Sequence, residues 1–238
     1  MNKIGIIGLG NMGEAILNSL IKNGFKKEDI LCAEIKTERA IFIAKEYSVR
    51  IAKNPRELIT KAKYVFLSVK PQDSGNLLKD IASAVNNNKV LISIMAGITT
   101  SNILSAVGKP VKIVRVMPNV CVKVGEGAMG VASNASTTHE EIEEVKKIIS
   151  PLGRIIDVGE ELMDAVTALG GSGPAFFLLF LEAMIDAGVK MGIPREKSKT
   201  LCTQVAKGTL KMLDEDKIHP TLMREMITSP GGTTAAGL

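Results

Sequence analysis

The sequence predicts an α/β protein, a doubly wound parallel sheet followed by a small all-helical domain. Three observations carry that expectation. Over the first two-thirds of the 238 residues, short β-rich runs alternate with helical patterns, the rhythm of parallel strands joined by crossover helices. The runs Tyr64–Val69 and Val90–Ile94 are apolar almost throughout, as strands covered on both faces are. Beyond about residue 160 the strand patterns stop and only helical ones remain.

In chain order, Ile4–Ile7 reads as a buried strand and Met12–Asn23 as a helix stopped by Gly24. Ile30–Ala33 is the next strand, followed by a helix over Thr37–Glu46 with Thr37 as its cap. The central strands Tyr64–Val69, Val90–Ile94 and Val111–Val116 are separated by helices over Gly75–Ala84 and Thr100–Val107. A helix over Thr138–Ile149 and an edge strand over Arg154–Val158 complete a sheet domain of residues 1–160. Residues 161–238 carry helical segments at Glu161–Leu169, Pro174–Met191, Glu196–Leu213 and Thr221–Ile227, punctuated by Gly170-Gly171-Ser172-Gly173 and Gly192-Ile193-Pro194. No Pro- or Ser-rich linker marks the boundary, so the domains are expected to pack directly.

The segment from Pro174 is apolar nearly all round. It holds Phe176, Phe177 and Phe180, half of the six Phe, with Leu178, Leu179 and Leu181. A lone surface helix cannot be apolar on every side. A thin helical domain offers little cover, so a second subunit is the expected partner, with a central helix inside one subunit as the alternative. Glu182 and Asp186, four apart on the same helix, admit an acid/base reading or a plain polar one.

Composition narrows the function. Aromatics are 3% with no Trp, which removes the stacking platforms of single-strand nucleic-acid binders. The net charge of +5 is mild, and the basic residues are spread along the chain, suiting small anions better than a duplex. Cys32, Cys121 and Cys202 are odd in number and far apart, and they read as reduced cytosolic thiols. With two His, at 139 and 219, neither a zinc site nor a Ser-His-Asp triad is expected. No signal segment is visible at the start, and the apolar stretch Ala175–Leu181 is seven residues long before Glu182 interrupts it, short of a membrane span. A soluble, cytoplasmic protein is expected, with no nucleic-acid or membrane partner.

Chemistry concentrates where strands end. Gly8-Leu9-Gly10-Asn11-Met12-Gly13 is GxGxxG between a strand and a helix, the context that makes the motif a Rossmann dinucleotide fingerprint. Gly8 permits the tight turn, Gly10 lets backbone approach a pyrophosphate, and Gly13 lets helix pack on strand, while free N–H groups at the helix start face the phosphates. Glu34, 21 residues after Gly13, ends the second strand, where a carboxylate binds ribose hydroxyls. Glu34 favours NAD(H), whereas Lys36 and Arg39 are able to accept a 2′-phosphate, leaving NADH and NADPH both open.

Ser68-Val69-Lys70-Pro71 and Met95-Ala96-Gly97 follow the next two central strands, at the carboxyl ends where open α/β sheets bind ligands. Small Ala96 and Gly97 leave room for a flat nicotinamide. Asn119 is either a polar group in the same crevice or a loop cap. Near the C-terminus, Ser229-Pro230-Gly231-Gly232-Thr233-Thr234 precedes a helix expected to start at Ala235, and reads as an anion nest for a carboxylate or as a simple Thr-capped turn.

Taken together, GLGNMG at 8–13, SVKPQ at 68–72, ISIMAG at 92–97, RVMPN at 115–119, DAVTALGGSGPAF at 164–176 and SPGGTT at 229–234 resemble pyrroline-5-carboxylate reductase, the family that closes proline biosynthesis. The resemblance runs in order along essentially the whole chain. It implies hydride delivery from NADPH or NADH to the C=N carbon of 1-pyrroline-5-carboxylate, giving L-proline. It places the substrate carboxylate at Ser229, Gly231, Gly232 and Thr233, with Ser172 and Gly173 nearby and Thr234 at the ring nitrogen. The cofactor is implied along Gly8, Gly10, Asn11, Met12 and Gly13, then Glu34, Lys36, Asn54 on the adenosine side, Ser68, Val69, Lys70, Pro71, Ala96 and Gly97. It also implies interlocked helical domains in a homodimer or a larger ring of dimers, with the substrate loop contributed across the dimer, and a further helical hairpin beyond Leu238. The chain departs from the family at Val120-Cys121, where MPNTP is usual, and at Gly170, which replaces a Ser. A β-hydroxyacid dehydrogenase would use a Lys such as Lys190, Lys197 or Lys199, but SPGGTT favours the imine reductase over it. A non-catalytic dinucleotide-sensing module is the alternative of another class.

Overall fold

The protein is described by a computed structural model over residues 4–238. Eight strands form one sheet: β1 (Ile4–Ile7), β2 (Ile30–Ala33), β3 (Arg50–Ile51), β4 (Tyr64–Leu67), β5 (Val90–Ser93), β6 (Lys112–Met117), β7 (Gly127–Ser133) and β8 (Gly153–Asp157). Their order is β3-β2-β1-β4-β5-β6-β7-β8, and every neighbouring pair is parallel except β6–β7. The expected doubly wound α/β sheet is therefore present.

Alternation along each strand explains the layers, since successive side chains leave on opposite faces. Ile4, Ile6, Cys32, Phe66, Ile92 and Val114 bury against α1 (Asn11–Lys22), α2 (Thr37–Tyr47) and α6 (His139–Ile149). Ile7, Leu31, Val65, Leu67, Leu91 and Ile113 bury against α3 (Pro55–Lys61), α4 (Ser74–Ile81) and α5 (Thr100–Val107). Thr99 and Asn102 close a capping box on α5, as Thr138 and Glu141 do on α6.

One local expectation needs correction, and three elements have no counterpart in the sequence reading. Thr37 is the first helical residue of α2, after Lys36 in the cap position, and no side chain caps that end. The strands β3 and β7 and the helix α3 carry too little apolar pattern to be read from sequence. Strand β7 is Gly127-Ala128-Met129-Gly130-Val131-Ala132-Ser133, and an added Cβ at Gly130 would meet Val166 Cγ1 at 2.6 Å. Its small residues serve the close packing of a helical turn. It runs antiparallel to β6 because a short loop, mostly the 3₁₀ turn Val120–Val124, joins them, too short for a parallel crossover.

The glycines after Leu169 do not break the helix. Glu160–Leu162 is a 3₁₀ turn, α7 covers Met163–Val166, and Thr167–Gly171 is a π turn leading into α8 (Gly173–Lys190). The resulting run Glu160–Lys190 is long and apolar enough by length and composition to cross a membrane, which the seven-residue count did not anticipate. The chain divides into two compact units, the first ending at Pro174 and the second covering Ala175–Leu238. The second unit continues through α9 (Arg195–Asp216), α10 (Pro220–Met226) and α11 (Thr233–Gly237).

Within the second unit, Ser198 Oγ donates to Ile185 O at 2.9 Å, and an added Cβ at Gly188 would meet that Oγ at 2.2 Å. Asp186 lies 2.8 Å from Arg195, so the polar reading of this carboxylate holds. The Phe and Leu side chains of α8 are uncovered, with Phe176 and Phe180 each 64% exposed.

Candidate active site

The topology reverses between β1 and β4, from which strands are added outward on each side. Loops leaving the carboxyl ends of these strands diverge and open a crevice. Gly8–Gly13 follows β1, Glu34 and Lys36 follow β2, Ser68–Pro71 follow β4, and Ala96 and Gly97 follow β5. Asn54 lies three residues beyond β3. The fourteen cofactor residues expected from sequence therefore fall at the same edge of the sheet.

The glycine loop divides into structural and open positions. Gly8 has φ +89°, and a Cβ there would meet Ser68 O at 2.8 Å. A Cβ on Gly13 would meet Gly8 O at 2.0 Å, so these two glycines are required by the fold itself. Gly10 has an ordinary φ of −67° and nothing within 4 Å of an added Cβ. Among the described residues nothing demands glycine at 10; the open space beside it suits a ligand pressed against the backbone. No side chain caps α1, and the N–H groups of Asn11, Met12 and Gly13 have no intrahelical acceptor. Those groups and the helix dipole favour a pyrophosphate. Ser68 Oγ is buried without a hydrogen-bond partner, an unmatched polar atom on the loop beside Gly13. The donors, the open glycine and the orphaned hydroxyl together fit a dinucleotide.

The loop is held from outside by Glu34 and Arg39, with Glu14 and Tyr47 behind them. Leu9 N–H donates to Glu34 Oε2 at 2.7 Å, while Arg39 Nε donates to Leu9 O at 2.8 Å. Arg39 Nη2 also pairs with Glu14, whose other oxygen accepts from Tyr47 Oη at 3.0 Å. Burial, then the hydrogen bond to Glu14, pushes the Tyr47 hydroxyl up to about 12. Cys32 on β2 is buried, which pushes its thiol up to about 12, so it supplies no thiolate at neutral pH.

Asn54 Oδ1 accepts from Glu57 N–H at 2.9 Å and caps α3. Lys70 is exposed and precedes the 3₁₀ turn Pro71–Asp73. Gly97 turns the chain at φ +72° between β5 and α5. Asn119 is a loop cap: its Oδ1 accepts from Cys121 N–H at 3.1 Å and its Nδ2 donates to Gly170 O at 3.0 Å.

A second cluster lies outside the residues expected from sequence. Arg115, 4% exposed on β6, donates to Glu160 Oε1 at 3.0 Å. Thr100 N–H donates to the same oxygen at 2.7 Å, and its hydroxyl to Oε2. Burial opposes ionisation of Glu160, but the Thr100 and Arg115 hydrogen bonds outweigh it and hold the carboxyl below its ordinary range. A buried Arg amid a Val-rich strand was the available signal, because such a charge needs a partner.

Ser172 ends the π turn with its N–H bonded to Thr167 O at 3.0 Å, and Gly173 opens α8. Ser229–Thr234 form one turn of the second unit, in which Gly231 has φ +68° and Gly232 N–H donates to Ser229 O at 3.1 Å. Gly232 then stands at the cap of α11, and Thr233 and Thr234 are its first residues.

Comparison with known proteins agrees with this layout. Residues 160–238 match the family model described as pyrroline-5-carboxylate reductase dimerisation, and residues 3–97 match that of coenzyme F420-dependent NADP oxidoreductase. A pyrroline-5-carboxylate reductase of Methanosarcina acetivorans is 35% identical over 99% of this chain and 88% of that protein. One from Synechocystis is 37% identical with the same coverage. Among solved structures, a pyrroline-5-carboxylate reductase from Coxiella burnetii superposes with TM-score 0.93 at 30% identity, covering 99% of this chain and 88% of that one. The Plasmodium falciparum reductase, solved with NADP bound, gives TM-score 0.89 at 34% identity, covering 99% and 87%. With relatives 35% and 37% identical along 99% of its length, the chain belongs to the pyrroline-5-carboxylate reductase family.

Proposed function

We propose that this protein reduces the C=N bond of 1-pyrroline-5-carboxylate to give L-proline, as an NAD(P)H-dependent imine reductase of the cytoplasm. The observation that carries the reading is likeness along 99% of the chain to reductases of that name. The domains are assigned as 1–160 for the dinucleotide and 161–238 for dimerisation and substrate. The working form is a homodimer or a larger assembly of dimers, with α8 buried between subunits and no membrane or nucleic-acid partner.

A bound nicotinamide dinucleotide supplies the hydride. The chain's own residues bind and orient: the α1 N-terminus and Gly10 take the pyrophosphate, and Ser68 offers its free hydroxyl. Glu34, Lys36 and Asn54 serve the adenosine end, and Val69, Lys70, Pro71, Ala96 and Gly97 the remainder. Ser229, Gly231, Gly232 and Thr233 are assigned to the substrate carboxylate and the Thr234 hydroxyl to the ring nitrogen, with Ser172 and Gly173 as further substrate residues. An imine protonates readily, so positioning and water exclusion do more than a strong acid. That suits a chain with two His.

The test is oxidation of reduced nicotinamide with pyrroline-5-carboxylate as substrate. Thr234→Ala should lower kcat by about a hundredfold, the scale of losing one well-placed donor, with dinucleotide affinity unchanged. Unchanged kinetics would remove Thr234 from the reaction, and no turnover by the wild type would overturn the substrate assignment.

A further inference from the structure

We propose that Glu34 makes this chain select NADH over NADPH by rejecting the adenosine 2′-phosphate. The inference rests on the dinucleotide crevice described above and deepens it.

Glu34 follows Ala33, whose carbonyl accepts Gly8 N–H at 2.9 Å, so the end of β2 is tied to the glycine loop. Its carboxylate is fixed on both oxygens, Oε2 by Leu9 N–H at 2.7 Å and Oε1 by Lys36 N–H at 3.0 Å. Each oxygen keeps acceptor capacity for a ribose hydroxyl, which donates. A 2′-phosphate has little hydroxyl to donate at neutral pH and brings a charge of roughly −1.5 to −2 against a carboxylate. Turning the carboxylate aside would break its bonds to Leu9 and Lys36.

The phosphate then depends on a free cation, and the nearby guanidinium is committed elsewhere. Arg39 donates to Leu9 O at 2.8 Å, pairs with Glu14, and lies over the Phe42 ring at 5.2 Å from its centroid. Glu14 is itself anchored by Tyr47. Re-aiming Arg39 would release one support of the glycine loop and strip Glu14 of its counter-charge. Ile35, 95% exposed beside Glu34, adds no side-chain donor. Lys36 is a further cation on this loop, an exposed ammonium on a flexible stem whose attraction is screened by solvent.

The experiment is equilibrium titration of the purified full chain with NADH and NADPH without substrate, followed by nicotinamide fluorescence, with calorimetry on NAD+ and NADP+. NADH is expected to bind about tenfold more tightly than NADPH. Glu34→Gln, which keeps an acceptor for Leu9 N–H but removes the charge, should raise NADPH affinity and bring the two within about threefold. Thermal denaturation verifies that this variant is folded. Equal binding, preference for NADPH, or an unchanged ratio in folded Glu34→Gln would overturn the specificity while leaving the crevice intact. Failure of the wild type to bind either dinucleotide would overturn both.

Discussion

Gly10 and Gly13 separate folding from binding within one short motif. A Cβ at Gly13 has nowhere to go, with Gly8 O at 2.0 Å, so Gly13→Ala should cost about 3 kcal/mol, measurable as a lower midpoint in urea. The space around Gly10 is open and its φ suits any residue. Gly10→Val should therefore leave Tm within about 2 °C of wild type while weakening dinucleotide binding by about a hundredfold or more, because its side chain fills the approach to the phosphates. Calorimetry and thermal denaturation on the same samples check both halves. The need for glycine at 8 and 13 was legible in sequence because the motif sits between a strand and a helix. Asn119 shows the opposite case: its residue type allowed a crevice role or a cap, and only the positions of Cys121 N–H and Gly170 O decided for the cap.

At the scale of elements, Glu160 joins the start of the helical run to the N-terminus of α5 and to a buried cation on β6. Removing it leaves Arg115 buried without its counter-charge, so Glu160→Ala should cost about 3 kcal/mol, read from denaturant unfolding. The carboxyl is held below its ordinary value. Its stabilisation is thus present above the unfolded pKa of about 4.3 and is lost as pH falls through the lower folded value. The stability gap between wild type and Glu160→Gln should be constant near neutrality and close below about pH 4. A gap that persists at pH 2 would show that the effect is not ionic. Sequence reading passed over this joint because its partners are 45 and 60 residues apart, and no local pattern reports such a pairing.

For the whole molecule the decisive feature is α8, which presents Phe176, Phe177, Phe180, Leu178 and Leu179 largely to solvent in a single chain. Covering such side chains is worth about 2 kcal/mol each, a driving force sufficient for the proposed association through this helix. Phe180→Asp should convert the assembly to monomers, seen as a fall in mass by light scattering, and abolish turnover while dinucleotide binding survives. An unchanged mass would place the subunit interface elsewhere. The same apolarity makes Glu160–Lys190 resemble a membrane span by composition. Periodicity alone cannot separate the two, since both partners accept an all-round apolar helix.

The sequence by itself determined the doubly wound sheet, the loops that end its strands and the apolar character of α8, because each rests on local rules of period, turn chemistry and motif context. It did not reveal β7, whose Gly- and Ala-rich run has small residues where strands are usually bulky, since that choice answers to close packing by Val166. Nor did it reveal that Thr167–Gly171 continues as a π turn, because glycine tolerates either outcome and packing selects one. On the cofactor question that Glu34, Lys36 and Arg39 left open, what tertiary structure adds is the set of partners each side chain already holds. Charge is written in the residue letters, but whether a guanidinium is free or already held by Leu9 O and Glu14 depends on atoms up to thirty residues away.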